Sequence, residues 1–306
     1  MSELSGILPL FKPEGMTSHD CVMKIRRLAG TRKVGHTGTL DPDVTGVLPI
    51  CIGKATKVAD YLHDEPKTYR AELTIGIATD TEDAGGQILE TKEKQDDLTE
   101  AELRYVFERF TGAITQVPPM YSAVKVNGKR LHELAREGKI VERQPRQVMI
   151  YGINPEEIRL DKPYPTVHFT VSCSKGTYIR TLCADIGREL GYPAHMSYLQ
   201  RIKSGPFTLE QCVTLQTVAK AAEENTLHTL LYPLDRALIQ YPAVHVPQGR
   251  VQAILNGLSQ RHVNPGDWEK GDKLRLYAPD GTFLALHAVV ETDRDTGVES
   301  KPVKVF

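Results

Sequence analysis

Reactive and membrane-spanning features are scarce in this chain of 306 residues. The five cysteines (Cys21, Cys51, Cys173, Cys183 and Cys212) form no C-x-x-C pair and have no histidine at metal-ligand spacing. That excludes a zinc ribbon, argues against a disulfide framework, and makes reduced thiols in the cytoplasm the expectation. No apolar stretch approaches bilayer length, and the N-terminal MSELSGILPLFKPEG has no basic segment leading into a long apolar run. Neither a membrane contact nor a secretory signal is expected. Glycine-rich loops of the dinucleotide and P-loop kinds are missing too, and no structural metal is indicated. Repeats and low-complexity tracts are absent.

The chain also lacks an excess of either charge, with a net charge of -1, but that average conceals segregation. Cys21 to Leu40 holds Lys24, Arg26, Arg27, Arg32 and Lys33 with no acid, whereas Asp80 to Glu102 is strongly acidic. Pro119 to Gln147 is basic again, through Lys125, Lys129, Arg130, Arg136, Lys139, Arg143 and Arg146. Local basic patches hold phosphates by releasing counterions whatever the total charge, although a solvated helix face explains any single patch equally well.

What is present is a soluble composition, 40% hydrophobic and 25% charged, at a length that suggests two domains. Gly35 to Pro49, GHTGTLDPDVTGVLP, surrounds Asp41 and His36 with glycines, threonines and prolines. Glycine permits tight turns and proline interrupts regular pairing, so this reads as a loop that exposes an acid.

Around it the periodicities alternate. Thr17 or Ser18 caps a helix with Val22, Ile25 and Leu28 inward, ended by Gly30. Thr68 to Ile77 alternates as a half-buried strand that begins near Tyr69. Thr99 caps a helix with Leu103, Val106, Phe107 and Phe110 inward. Tyr121 to Val126 reads as a strand leading to an Asn127-Gly128 turn, and Thr166 to Cys173 as another strand. Thr177 is the expected N-cap of a helix with Ile179, Leu182, Ile186 and Leu190 on one face. Arg180 then lies in its first turn, where the helix dipole disfavours a cation, so it needs an anionic partner.

These elements predict an α+β fold: a mixed, largely antiparallel central sheet flanked by helices. Beyond the proline-rich YPLDRALIQYPAVHVP, a short helix over 251–258 and strands flanking Asp280-Gly281 predict a small β-barrel-like unit. The expected domains are 1–238, with 117–147 as an insertion, and 239–306.

Two motif readings compete for the loop. Asp41-Pro42-Asp43-Val44-Thr45 spells D-x-D-x-T, as in haloacid-dehalogenase-like phosphatases that use magnesium, and Gly266-Asp267 with Asp272 imitates their distal motif. The second reading uses more of the chain. KPEGMTSHD (12–20), GHTGTLDP with TGVLP, KTYR (67–70) and SKGTYIR (174–180) occur in this order. Together they resemble the bacterial tRNA pseudouridine synthase B (TruB) family, with a tail similar to a PUA-type RNA-binding domain.

That resemblance implies isomerisation of uridine-55 in the tRNA T arm, by an enzyme expected to be a monomer without cofactor. It places Asp41 at the catalytic aspartate, Tyr69 at the tyrosine that stacks on the base, and Arg180 at the arginine that pairs with the aspartate. His36 falls where a histidine enters the T loop, Tyr178 and Leu199 (in SYLQR) at pocket positions, and Lys12 and Lys57 at basic positions near RNA. Asp43 with Val44, and Gln200, depart from the family pattern. The basic insertion is expected to order on tRNA, and Arg180 to hold the Asp41 carboxyl in its charged form. A non-catalytic RNA-binding or RNA-folding module would share the basic patches and the tail but have no use for Asp41.

Overall fold

The computed structural model describes residues 4–95, 98–126, 128–262, 267–293 and 297–306. Its main sheet runs Gly6–Lys12, Thr45–Ile52, Ala194–Ser204, Lys67–Ile75, Thr166–Cys173, Arg146–Arg159, Gly112–Gln116. Val34–His36 pairs with Thr45–Ile52, and Phe207–Thr208 with Ala194–Ser204. Every pairing is antiparallel except Gln200 and Arg201 against Thr45 and Gly46, so the sheet is mixed and largely antiparallel. A second sheet, of five strands, comprises Ala243–His245, Lys273–Tyr277, Phe283–Asp293, Gly297–Val305 and Gln260–His262.

Period-2 and period-3.6 patterns explain the layers. Val167, Phe169, Val171 and Cys173 point to one face, where they meet Leu103, Val106 and Phe107 from helix Glu100–Arg109 and Ile179, Leu182 and Ile186 from helix Ile179–Glu189. Leu8, Leu10, Leu48 and Ile50 bury helix Ser18–Leu28 through Cys21, Val22 and Ile25. On the opposite face of those strands, Ile7, Val47 and Cys51 pack with Leu62, Phe207, Leu238 and Leu286. Leu286 belongs to the second sheet, so an apolar contact joins the two sheets.

Several expected boundaries move. The first helix is capped by a Thr17–Asp20 capping box, and Gly30 is left-handed at φ +62°. The glycine-rich stretch is a loop only over 37–44, because Thr45–Ile52 is a core strand. Only Lys125–Val126 of the 121–126 segment is extended, paired with Lys129–Arg130; Asn127 lies outside the described residues. The Thr68–Ile77 strand runs instead from Lys67 to Ile75, and the 251–258 helix ends at Leu255. Thr177 is not the N-cap of Ile179–Glu189. Its hydroxyl donates to the Ser174 carbonyl, and Tyr178 takes the cap position without a side-chain cap.

One junction positions everything that follows. The Thr45–Ile52 strand pairs on one side with Gly6–Lys12, while its other side is shared by Val34–His36 near Ile50 and by Ala194–Ser204 near Thr45. The 37–44 loop leaves the sheet in the gap between them. Gly46, at φ +117°, lets Arg201 approach so closely that a Cβ would sit 2.1 Å from the Arg201 carbonyl oxygen. Gly46→Ala meets both the wrong backbone region and this backbone clash, so it is expected to cost more than about 1 kcal/mol, read as a lower urea midpoint at unchanged slope.

Candidate active site

Bonds on both sides of Asp41 fix its loop. On one side Leu40 N–H donates to Ser18 Oγ at 2.9 Å, with the Leu40 side chain buried. On the other, the Pro42 carbonyl accepts from Gly15 N–H at 3.0 Å and from Lys12 Nζ at 2.8 Å. Asp41 closes the turn with its own carbonyl, which accepts from Val44 N–H at 3.1 Å. The KPEGMTSHD segment is thus the bracket that holds the acid.

Lys12 takes an unexpected part in this. It is fully buried, and its ammonium donates to the carbonyls of Pro13, Met16 and Pro42. All three donors are used, so Lys12 pins the loop from beneath and does not face a phosphate. Burial lowers its pKa, with the nearby Cys21, Asp43 and Asp41 opposing that shift.

Arg180 comes from the first turn of helix Ile179–Glu189, and its guanidinium lies 3.1 Å from Asp41 Oδ2. It is 4% exposed. A second carboxylate, Asp83, lies 3.5 Å from it, and the carbonyls of Thr81 and Tyr121 accept from it at 3.1 and 2.8 Å. The anionic partner that the helix dipole demanded is therefore Asp41 together with Asp83. Glu82 sits at φ +63°, and its carboxylate accepts from Thr181 Oγ1 at 2.6 Å. This bend between Thr81 and Asp83 turns both toward Arg180.

The Asp41 carboxyl is open on one side, with 45% of its side chain exposed. Burial nevertheless raises its pKa above the usual carboxylate range; Arg180 pulls it down, while Asp83 and Asp43 push it up. Arg180 acts in the expected direction, but burial, the larger cause, outweighs it, so the net shift is upward rather than downward.

Tyr69 lies in the Lys67–Ile75 strand between Val171 and Arg201. Burial raises its pKa, with the Arg201 guanidinium opposing the shift and Asp41 close enough to add to it. Leu199 packs with Tyr69 against the same core. Beneath the loop, Arg201 is 1% exposed and donates from Nε to Val47 O at 2.7 Å and from a terminal nitrogen to Gly38 O at 3.2 Å. Lys67 donates to the carbonyls of Leu62, His63 and Glu65, and burial brings its pKa down to about 8. Neither Arg201 nor Lys67 was assigned a role from the sequence, although each sits inside a motif, SYLQR or KTYR.

The remaining positions divide. His36 is half-buried, its Nδ1 accepting from Gly38 N–H at 3.3 Å; burial and then Arg201 lower its pKa, which favours the neutral ring. Tyr178 precedes helix Ile179–Glu189, its ring covered by the Arg146 guanidinium at 4.7 Å. Lys57 is not part of this cluster. It is exposed at the junction of the two sheets, donating to Val305 O at 3.0 Å, while its own carbonyl accepts from Lys304. Asp43 points to solvent, and Gln200 donates to Thr45 Oγ1 at 3.1 Å.

Asp41 therefore does not follow a buried parallel strand, as a D-x-D-x-T phosphatase requires. The distal imitation fails as well: Gly266 lies outside the described residues, and the Asp272 carboxylate accepts from Glu269 N–H at 2.8 Å.

Residues 26–179 match the family model for the TruB family pseudouridylate synthase N-terminal domain, and residues 180–239 that for the tRNA pseudouridylate synthase B C-terminal domain. The chain belongs to the TruB family of pseudouridylate synthases. It is accordingly an isomerase. It is 50% identical over 286 residues to tRNA pseudouridine synthase B of Halalkalibacterium halodurans, covering 93% of each chain. It is 46% identical over 286 residues to that of Bacillus subtilis, again covering 93% of each. A chain in the structure of an H/ACA RNP bound to a substrate RNA containing 2'-deoxyuridine superposes with a TM-score of 0.74 at 27% identity, over 98% of this chain and 84% of that one. The two family models meet between Ile179 and Arg180, inside one helix, so their border is not a structural one. Among the described residues no helix is long and apolar enough to cross a membrane.

Carbon-13 NMR of the Asp41 carboxyl should show a midpoint above 3.8, and Asp83→Asn should lower it, because one repulsive charge is removed and Arg180 is left more fully to Asp41. An unchanged midpoint in Asp83→Asn would contradict this coupling.

Proposed function

We propose that this synthase converts uridine-55 of the tRNA T arm to pseudouridine, with Asp41 as the catalytic carboxylate, Arg180 as its partner and Tyr69 as the ring on which the base stacks. The 3.1 Å pair between Arg180 and a solvent-open Asp41, beside Tyr69, carries this reading. The relatives' name, tRNA pseudouridine synthase B, supports tRNA as the substrate.

The reaction breaks the N1 to C1′ bond, turns the uracil while it stays bound, and joins C5 to C1′. No electrons leave the substrate, so the protein has to supply only an ionised acid, a place for the freed base and a barrier to water. A uridine within a folded T arm must first swing out, at a cost of a few kcal/mol in lost stacking. Stacking on Tyr69 returns about 1 to 3 kcal/mol of that. Tyr69 packs against the main core, so part of its ring is already held before RNA arrives and less ordering entropy is lost.

The neutral, half-buried His36 at the mouth of the loop suits the space that the base vacates. Leu199 and Tyr178 supply apolar pocket wall, and Lys12 acts by holding the loop. Lys57 and residues 239–306 fit contacts with RNA away from the reacting base, and 117–147 fits a cover over it. Asp41→Asn is expected to retain tRNA affinity and lose tritium release from a 5-labelled uridine T-arm transcript. Its melting temperature should be equal or higher: the folded state raises the Asp41 pKa, so the ionised carboxyl costs stability at neutral pH and the amide does not. An Asp41→Asn enzyme that still releases tritium at the wild-type rate would refute the assignment.

A further inference from the structure

Helix Ile179–Glu189 has to aim Arg180, yet it begins without a side-chain cap of its own. A tyrosine at the N-cap has no short oxygen with which to hold the first turn, and uncapped helix ends fray. Another strand supplies the missing hold. Gln116, 1% exposed at the end of Gly112–Gln116, accepts from Tyr178 N–H through Oε1 at 3.0 Å. It also donates from Nε2 to the Tyr178 carbonyl at 3.1 Å. That carbonyl already accepts from Leu182 N–H at 3.0 Å, so the amide engages the peptide groups from which the first turn is built.

Arg146 grips the same residue from the other side. It is the cross-strand partner of Gln116. Its guanidinium covers the Tyr178 ring at 4.7 Å and donates to the Gly176 carbonyl. Gln116 and Arg146 are also where the chain leaves the sheet for residues 117–145 and where it returns. From within that excursion the Tyr121 carbonyl takes an N–H of Arg180 itself.

We infer that Gln116, assisted by Arg146, is a positioning residue for catalysis. Its side-chain amide serves as the long-range cap of the catalytic helix, and through Tyr178 it fixes the direction from which Arg180 meets Asp41. The inference rests on the reading of Arg180 and Asp41 as the working pair. It predicts an effect on turnover without a matching effect on RNA binding, because the amide touches only the protein backbone.

The test compares full-length wild type, Asp41→Asn, Gln116→Leu and Arg146→Ala in single-turnover tritium release at saturating T-arm RNA, well below each melting temperature. Gln116→Leu is expected to slow the chemical step about tenfold to a hundredfold, the scale set by small misplacements of catalytic groups. Its Kd for the RNA should stay within about threefold of wild type, since no RNA contact is removed. The acid limb of its pH–rate profile should move to higher pH, because a displaced Arg180 no longer restrains the Asp41 pKa. Arg146→Ala, altered nearer the surface, should move rate and acid limb in the same directions by less; if Gln116→Leu does not fold, Arg146→Ala decides the matter.

A purely structural role would lower the melting temperature while leaving the acid limb in place, and that result overturns the inference. So does a wild-type rate in the folded variants while Asp41→Asn is inactive. Activity in Asp41→Asn would instead overturn the assignment of Asp41.

Discussion

The fold is organised around one guanidinium that must stay buried and still reach an acid open to solvent. Arg180 is nearly inaccessible, and a charge so placed is tolerated only when its donors are met. They are met by Asp41, Asp83 and two carbonyls, from separate stretches of chain. Each of those stretches therefore has to arrive in register for the site to exist. The sheet junction at Gly46, the bracket around Leu40 and Pro42, and the left-handed turn at Glu82 are the devices that bring them there.

Positive charge is buried under the site with an economy of partners. Lys12, Lys67 and Arg201 are all inaccessible, and the hydrogen bonds they make to the protein backbone end on carbonyl oxygens. Carbonyl dipoles satisfy the donors while leaving the field of the cation largely in place, unlike a neutralising carboxylate. The floor beneath the 37–44 loop is thus both rigid and positive. That positive charge lies directly beneath the loop that carries Asp41, whatever the chain's net charge of -1.

Much of this was legible in the sequence because it rests on local rules. The composition of 35–49 announced a turn around an acid, and the stripe Ile179, Leu182, Ile186 placed Arg180 in a first turn where only an anion could justify it. What stayed hidden depended on distant chain segments. Lys12 reads as a surface base until the Pro42 carbonyl is found above it, and Tyr178 displaced Thr177 as the cap because Gln116, from another strand, could do the capping. Asp83 lay in the acidic run over 80–102, where nothing local distinguishes it from Asp80. The net direction of the Asp41 pKa was hidden for a related reason: Arg180 and the adjacent Asp43 were legible in the sequence, but the degree of burial and the approach of Asp83 arise only in three dimensions.

The central claim is that Asp41, held by Arg180, meets an extruded uridine lying on Tyr69. It is tested most directly by a crystal structure of Asp41→Asn bound to a T-arm stem-loop. The account predicts the uridine swung out of the RNA, its uracil stacked on the Tyr69 ring and its C1′ within contact distance of the side chain at position 41. A uridine still stacked within the loop, or one held in a cavity that contains neither Tyr69 nor that side chain, would contradict it.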